Sequence, residues 1–230
     1  MAIGSPQWMY SSGEYELEQS LKFNDDDSTY LSWTPSSNGN RKTWTWSGWF
    51  KRGNVNSSAT RGILFSSRND GSNYTYIGFD DGGGGYDRIR AYSLSGGSVQ
   101  YDLESTAQYR DVSGWYHLVV SIDTTQGTSS NRVKLYINGE QITAWSTSTY
   151  PSQNVDTFVN ATYSHRLSQM NDGSYYDGYL AEVNFIDGQA LTPADFGETG
   201  TYGEWKPIEY SGTYGTNGFY LPFKQDYTVE

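Results

Sequence analysis

The residues able to do chemistry in this chain are carboxylates, carboxamides and aromatic rings. It has no cysteine and only two histidines, His117 and His165. The missing thiols exclude disulfides, thiolate nucleophiles and thiolate metal sites. Neither histidine stands beside a candidate nucleophile, so a Ser-His-acid triad has no support. His117 lies inside the apolar run 115–123, where its plain role is a core or cross-strand residue. Among the carboxylates, Glu14, Glu16 and Glu18 alternate, and an extended chain would place them on one face. Hydrolysis of a glycoside needs two carboxylates held ~5 Å apart on one face in a retaining enzyme. Asp177 and Glu182 are five residues apart, which puts them on opposite faces of a regular strand. Glu182 therefore reads as a structural carboxylate that holds a neighbouring loop.

Oxygen-rich loops suit calcium. Asn24 to Asp27, Asp80-Asp81, and Asn171-Asp172 with Asp177 are such clusters, and none has EF-hand spacing. Asp172 and Asp177 are the candidate calcium ligands; the alternative is that these are solvated turn acids. Trp33, Tyr86, Trp145, Tyr175 and Tyr176 fall in or beside polar loops and are the candidates for stacking on sugar rings. The competing role for each is strand-surface or interface packing. The run Gly82 to Gly85 has no Lys-Ser/Thr and no helix after it, so it reads as a hairpin tip and not a phosphate loop. Asn56, Asn73 and Asn160 are formal glycosylation sequons only.

These residues need elements to position them, and the composition says which. Aromatics make up 17% of the chain, with 21 Tyr and 8 Trp, and Gly reaches 26. Such residues favour pleated strands, and Gly, Asn, Asp and Ser favour the turns between them. The segment Thr43 to Lys51 alternates with Trp44 and Trp46 on one face and Thr45, Ser47 and Trp49 on the other, predicting a half-buried antiparallel strand. Further strands are predicted at 20–23, 29–32, 62–67, 74–79, 88–92, 98–103, 115–123, 132–137, 140–144, 179–186 and 218–223. Asn138-Gly139 predicts a tight hairpin turn. Thr192-Pro193 opens a single helical turn. This is an all-β chain in which two antiparallel sheets pack as a sandwich. The divisions read from the sequence are an N-terminal arm at 1–18, one domain at 19–197 and a Gly/Tyr-rich tail with a final strand at 198–230, packed on the domain or on a neighbour. The net charge of −11 argues against nucleic acid and against an anionic membrane surface as partners. No signal-peptide pattern opens the chain, so the protein either works inside a cell, assembled in its cytoplasm, or leaves by a route without a signal; its last residues read as a module of something longer.

Three ordered segments carry a family resemblance: WTWSGWFK at 44–51, GWYHLVVSIDTTQGTSSNRVKLYINGE at 114–140, and DGYLAEVNFIDGQALTPADF at 177–196. They resemble the laminin-G-like, concanavalin A-like group. That resemblance implies a jelly-roll sandwich of two curved antiparallel sheets, often with one calcium at a sheet rim. Enzymes on this fold carry an E-x-D-x-x-E strand, which the Glu14–Glu18 segment lacks. Longer stretches, including SLKFNDDDSTYLSWTPSSNGNRKTWTWSGWFKRGN, are similar to domains of tail-fibre and virion structural proteins of marine bacteriophages. They imply a non-enzymatic virion module, exposed on the particle and multimeric, that binds host-surface glycans. The rivals are a capsid-decoration or assembly role with protein contacts only, and a polysaccharide-degrading enzyme.

Overall fold

The computed structural model describes residues 15, 17–55, 62–79, 87–170 and 173–224. Two seven-stranded antiparallel sheets face each other. Sheet A runs in the order β1 (Leu21–Phe23), β15 (Gly178–Asp187), β3 (Thr43–Arg52), β8 (Tyr116–Asp123), β9 (Val133–Ile137) and β10 (Glu140–Gln141). Its seventh strand, β18 (Phe219–Leu221), also pairs with β15. Sheet B runs in the order β11 (Trp145–Thr149), β7 (Ser98–Gln108), β6 (Arg88–Ser95), β5 (Asn73–Phe79), β4 (Gly62–Asp70), β12 (Ser164–Leu167) and β2 (Leu31–Trp33). Two small hairpins complete the described strands: β13 (Gln169–Met170) with β14 (Ser174–Tyr175), and β16 (Gly197–Thr199) with β17 (Trp205–Pro207). The all-β, concanavalin A-like sandwich expected from the sequence is the fold observed.

Alternation builds the core. Trp44, Trp46, Leu118, Val120 and Ile122 enter it from sheet A, and Phe65, Ile77, Phe79, Ile89, Ala91 and Leu103 from sheet B. Trp46 stacks on Phe65 across the two sheets at 6.2 Å. Truncating a buried ring of this kind costs about 3–5 kcal/mol. Asn138 and Gly139 both take positive φ (47° and 86°), as the β9–β10 turn requires. Pro193 opens a short 3-10 turn whose Asp195 carboxylate accepts from the Thr192 backbone N–H at 2.9 Å.

The outer face of β3 departs from expectation. It is not solvated, because Thr45, Ser47 and Trp49 are all buried. The chain from Gln189 to Tyr214 lies over sheet A and forms a second small core there, with Phe196, Val119 and Ile186 buried and Leu191, Tyr210 and Tyr214 packed on them. His117 is the polar centre of this layer. Its ring lies between Trp49 and Trp205, with centroids at 4.9 and 6.1 Å. An indole N–H can only donate, so the 3.0 Å contact from Trp205 Nε1 makes His117 Nδ1 an acceptor. The imidazole proton is therefore on Nε2 and is donated to Ser47 Oγ at 2.8 Å. Burial holds the ring neutral, with its pKa lowered to about 3. The core reading of His117 is the geometry found.

His165 is held in the opposite tautomer. Its Nε2 accepts from the Asn160 backbone N–H at 2.9 Å, so Nδ1 carries the proton and donates to Tyr163 O at 2.8 Å. Burial lowers its pKa to about 4.

Candidate functional site

Sheet B has one face in the core and one outside. Residues of the parity opposite to Ile77, Ile89 and Leu103 form the outer face: Tyr74 and Tyr76 on β5, Arg88, Arg90 and Tyr92 on β6, and Asp102 and Glu104 on β7. The register sets Tyr76 across from Tyr92, and Tyr92 across from Asp102. The three tyrosines cluster, with centroid separations of 6.4 Å for Tyr74–Tyr76, 5.4 Å for Tyr76–Tyr92 and 5.9 Å for Tyr74–Tyr92. Tyr76 is buried beneath Met170, whereas Tyr74 and Tyr92 remain half-buried.

Guanidinium groups border this tract. Arg90 lies 4.8 Å from the Tyr92 ring centroid and grips both Asp102 oxygens at 2.7 Å. Arg88 Nη1 donates to Glu104 Oε1 at 2.9 Å. Arg68 lies 5.7 Å from the centre of Tyr74. Farther along the face, Arg166 lies 5.1 Å from the Tyr30 ring, and Tyr30 packs against Tyr175 at 6.5 Å. A surface of partly open rings, with fixed donors and acceptors at their edges, has the chemistry that sugar rings and hydroxyls require.

The five aromatic candidates from the sequence separate. Tyr175 lies in this tract, beside Tyr30. Tyr176, its neighbour on the chain, points the other way; it is only 1% exposed and donates its hydroxyl to Lys51 O at 2.8 Å. Tyr176 is thus a core residue with no face for a sugar. Trp33 is likewise taken up by packing: it stacks on His165 at 5.4 Å and meets Phe219 edge-on at 4.7 Å. Trp145 packs against the core near the opposite margin and shares a recess of about 300 Å³ with Tyr150, Ile142 and Lys134. Tyr86 lies outside the described residues. Sequence reasoning passed over Tyr30, Tyr74, Tyr92, Arg90 and Arg166. A signal for three of these was present, because YTYIGF and RIRAY alternate with every Tyr and Arg on one face.

The carboxylate candidates also separate. Asp177 shares a small recess with Asp25, Asn54 and Arg52, next to Tyr175. Burial raises the Asp177 pKa, and the charges of Asp25 and Asp26 add to the rise. Such an excess of negative charge is one a divalent cation would relieve. Asp172 and the 80–81 pair lie outside the described residues, and among the described residues no three acidic or histidine side chains converge closely enough to hold a metal. Glu182 does not lie on the regular face its numbering predicted. The register slips by one residue between Ala181 and Asn184, and Glu182 takes φ +50° at that bulge. Its carboxylate holds Tyr15 and Tyr220.

The family model described as the concanavalin A-like lectin/glucanases superfamily, in its laminin-G form, matches residues 25–196. The chain belongs to that superfamily. No curated protein matches it. Solved structures share the lectin/glucanase fold at low identity. NanB plus Optactamide aligns at TM-score 0.54 and 16% identity, covering 79% of this chain and 28% of NanB. Domain 4 of AbnA, an extracellular arabinanase from Geobacillus stearothermophilus, in complex with arabinotriose, aligns at TM-score 0.47 and 21% identity over 67% of this chain and 65% of that one. The heptameric SAP-like pentraxin of Limulus polyphemus aligns at 0.46 and 16%, covering 71% of each chain. This lectin/glucanase domain thus spans about a quarter of NanB's length and just under two thirds of the AbnA structure's.

Proposed function

We propose that this chain is a non-catalytic glycan-binding module and that it serves on the virion of a tailed phage, in a multimeric fibre or appendage that touches host-surface glycans. The superfamily houses both binding and catalysis, so the site must decide. The observation that carries the binding reading is the outer face of sheet B, where Tyr74, Tyr92, Tyr30 and Tyr175 remain partly open beside arginine and carboxylate groups already locked in place. Rigid rings with two torsions each cost little entropy on binding. The resemblance of 20–54, 114–143 and 178–198 to phage virion domains supports the location. Calcium enters the proposal at Asp177 and Asp25, at the rim next to Tyr175, where it would steady that end of the face.

The test is a glycan array probed with the wild-type protein and with Tyr74→Ala and Tyr92→Ala. Each ring is worth about 1 kcal/mol in stacking, so each variant should lose roughly fivefold in affinity while its melting temperature stays close to wild type. Undiminished binding by both variants would remove this face from the reading. Gold-labelled antibody on intact particles separates the two surface roles: label at fibre tips supports adhesion, and label over the head replaces it with decoration. Release of reducing ends from a bound polysaccharide would replace the binding reading with an enzymatic one.

A further inference from the structure

A further cavity lies on the other sheet. Strand β15 is paired along its free edge by two short strands in succession: β1 against Gly178–Leu180, and β18 against Val183–Phe185. Between them sits the bulge, and Glu182 occupies the gap. There the molecule has a recess of about 340 Å³, lined by Tyr15, Glu18, Glu182, Glu209, Tyr220 and Lys224 among others.

The chemistry of this recess is one-sided. Glu182 is only 9% exposed. Tyr15 and Tyr220 both donate to its Oε2, at 2.5 and 2.6 Å, and their hydroxyl oxygens are 2.8 Å apart. Both phenol protons are thereby directed at one oxygen. Burial, and the hydrogen bond to Glu182, raise both tyrosine pKa values, so the phenols stay protonated and bring no negative charge. Glu182 Oε1 accepts no hydrogen bond among the described residues, and Glu182 is one of the residues that line the recess. At the rim, Lys224 Nζ lies 2.7 Å from Glu18, which leaves Glu209 as a further acceptor. Among the described lining residues, three carboxylates face one ammonium group. Such a recess calls for a ligand that donates hydrogen bonds and carries positive charge.

We propose that this recess binds a glycan bearing a free primary ammonium group, an amino sugar whose nitrogen donates to Glu182 Oε1. The size and the rim favour a sugar over a lysine side chain. A lysine would bring one ammonium on an apolar stem, but the rim offers polar groups at Glu18, Glu209 and Lys224 for hydroxyls, and the Tyr15 and Tyr220 rings for a pyranose face. The recess lies on sheet A and the tyrosine tract on sheet B, so either can fail without the other.

The experiment is calorimetric titration of the whole chain, at physiological salt and slightly acid pH, with the glucosamine trimer and with its fully N-acetylated counterpart. The trimer should bind and the acetylated form should not. Glu182→Gln keeps the shape but weakens the acceptor, and should reduce affinity by about tenfold or more. Because Glu182 is buried at a bulge, Glu209→Gln provides an exposed second variant, expected to weaken binding by a smaller factor. Glu140→Gln, on the far edge strand β10, removes the same charge and should have no effect. Any of these results would overturn the proposal: equal binding of the acetylated trimer, affinity unchanged in both site variants, or binding of Nα-acetyl-lysine amide as tight as that of the trimer. Heat from calcium chloride that disappears in Glu182→Gln would also overturn it, by making the recess a cation site.

Discussion

Acidification from pH 7 to pH 5 should weaken this fold through its two histidines. Both are buried, at 1% exposure for His117 and 0% for His165, and both are held neutral by desolvation, with pKa values near 3 and 4. In the unfolded chain each returns to the ordinary value of about 6.5. The unfolded state therefore binds more protons as pH falls below 6.5, and stability that is complete above that pH is progressively lost. At pH 5 the gap is about 1.5 pH units for each ring, or roughly 2 kcal/mol each and about 4 kcal/mol together. For a domain of this size that corresponds to a fall in Tm of about 8–16 °C. Relief of repulsion in a chain of net charge −11 works in the opposite direction, so the observed fall should lie toward the low end. Differential scanning calorimetry at the two pH values measures the total. Nitrogen-15 NMR of the imidazoles assigns it: His117 should show the Nε2–H tautomer and His165 the Nδ1–H tautomer, with neither titrating down to pH 5. A Tm unchanged between pH 7 and pH 5, or either ring titrating near 6.5, would refute the reasoning.

Other consequences are open to measurement. Asp87 is fully buried, pairs with Arg52 at 2.6 Å and takes Arg110 at 2.9 Å; Asp87→Ala strands the buried Arg52 charge and should cost about 3–5 kcal/mol in a urea melt. Gly139 has the Trp205 ring 2.6 Å from where a Cβ would stand, so Gly139→Ala should lift the indole off His117. The readouts are a changed tryptophan emission and a Tm lowered by a few degrees, and unchanged emission would count against the packed position of Trp205. If Asp177 helps to hold calcium, added calcium should raise the Tm of the wild-type protein and not that of Asp177→Ala; equal insensitivity in both would remove calcium from the rim. Without calcium, Asp177→Asn should slightly stabilise the fold near neutral pH, because the crowded carboxyl is favoured in its uncharged form.

Much of this architecture can be read directly from alternation. Thr43 to Lys51 shows its inward tryptophans, and Asn138-Gly139 shows its turn, because period and positive φ are local properties. What escaped depends on distant chain. Thr45, Ser47 and Trp49 look like a solvated face until Phe196, Trp205 and Tyr210 cover them. Strands β11 and β12 are too short and polar to stand out before their neighbours pair with them. The site was less legible than the fold. Tyr175 and Tyr176 are adjacent in an extended segment and cannot face the same way, so only one of them could belong to an open surface. Glu182 was placed by counting along a regular strand, and a single inserted residue at the bulge undid that count. Its partner Tyr15 is 167 residues away, and no local pattern announces such a contact.

The two-part edge of β15 has a consequence for synthesis. One half of that edge is filled by residues 21–23 and the other by residues 219–221, nearly two hundred positions later in the order of translation. Until the later segment leaves the ribosome, β15 holds half a row of unpaired amides and carbonyls open to any passing strand. The β1 half of the edge is itself a distant contact, with Phe23 opposite Gly178, and contacts closed over so long a loop form slowly. The nascent domain must therefore wait, with an adhesive edge, for β18; interruption of translation shortly before residue 219 should yield a product that aggregates more than the chain carrying β18.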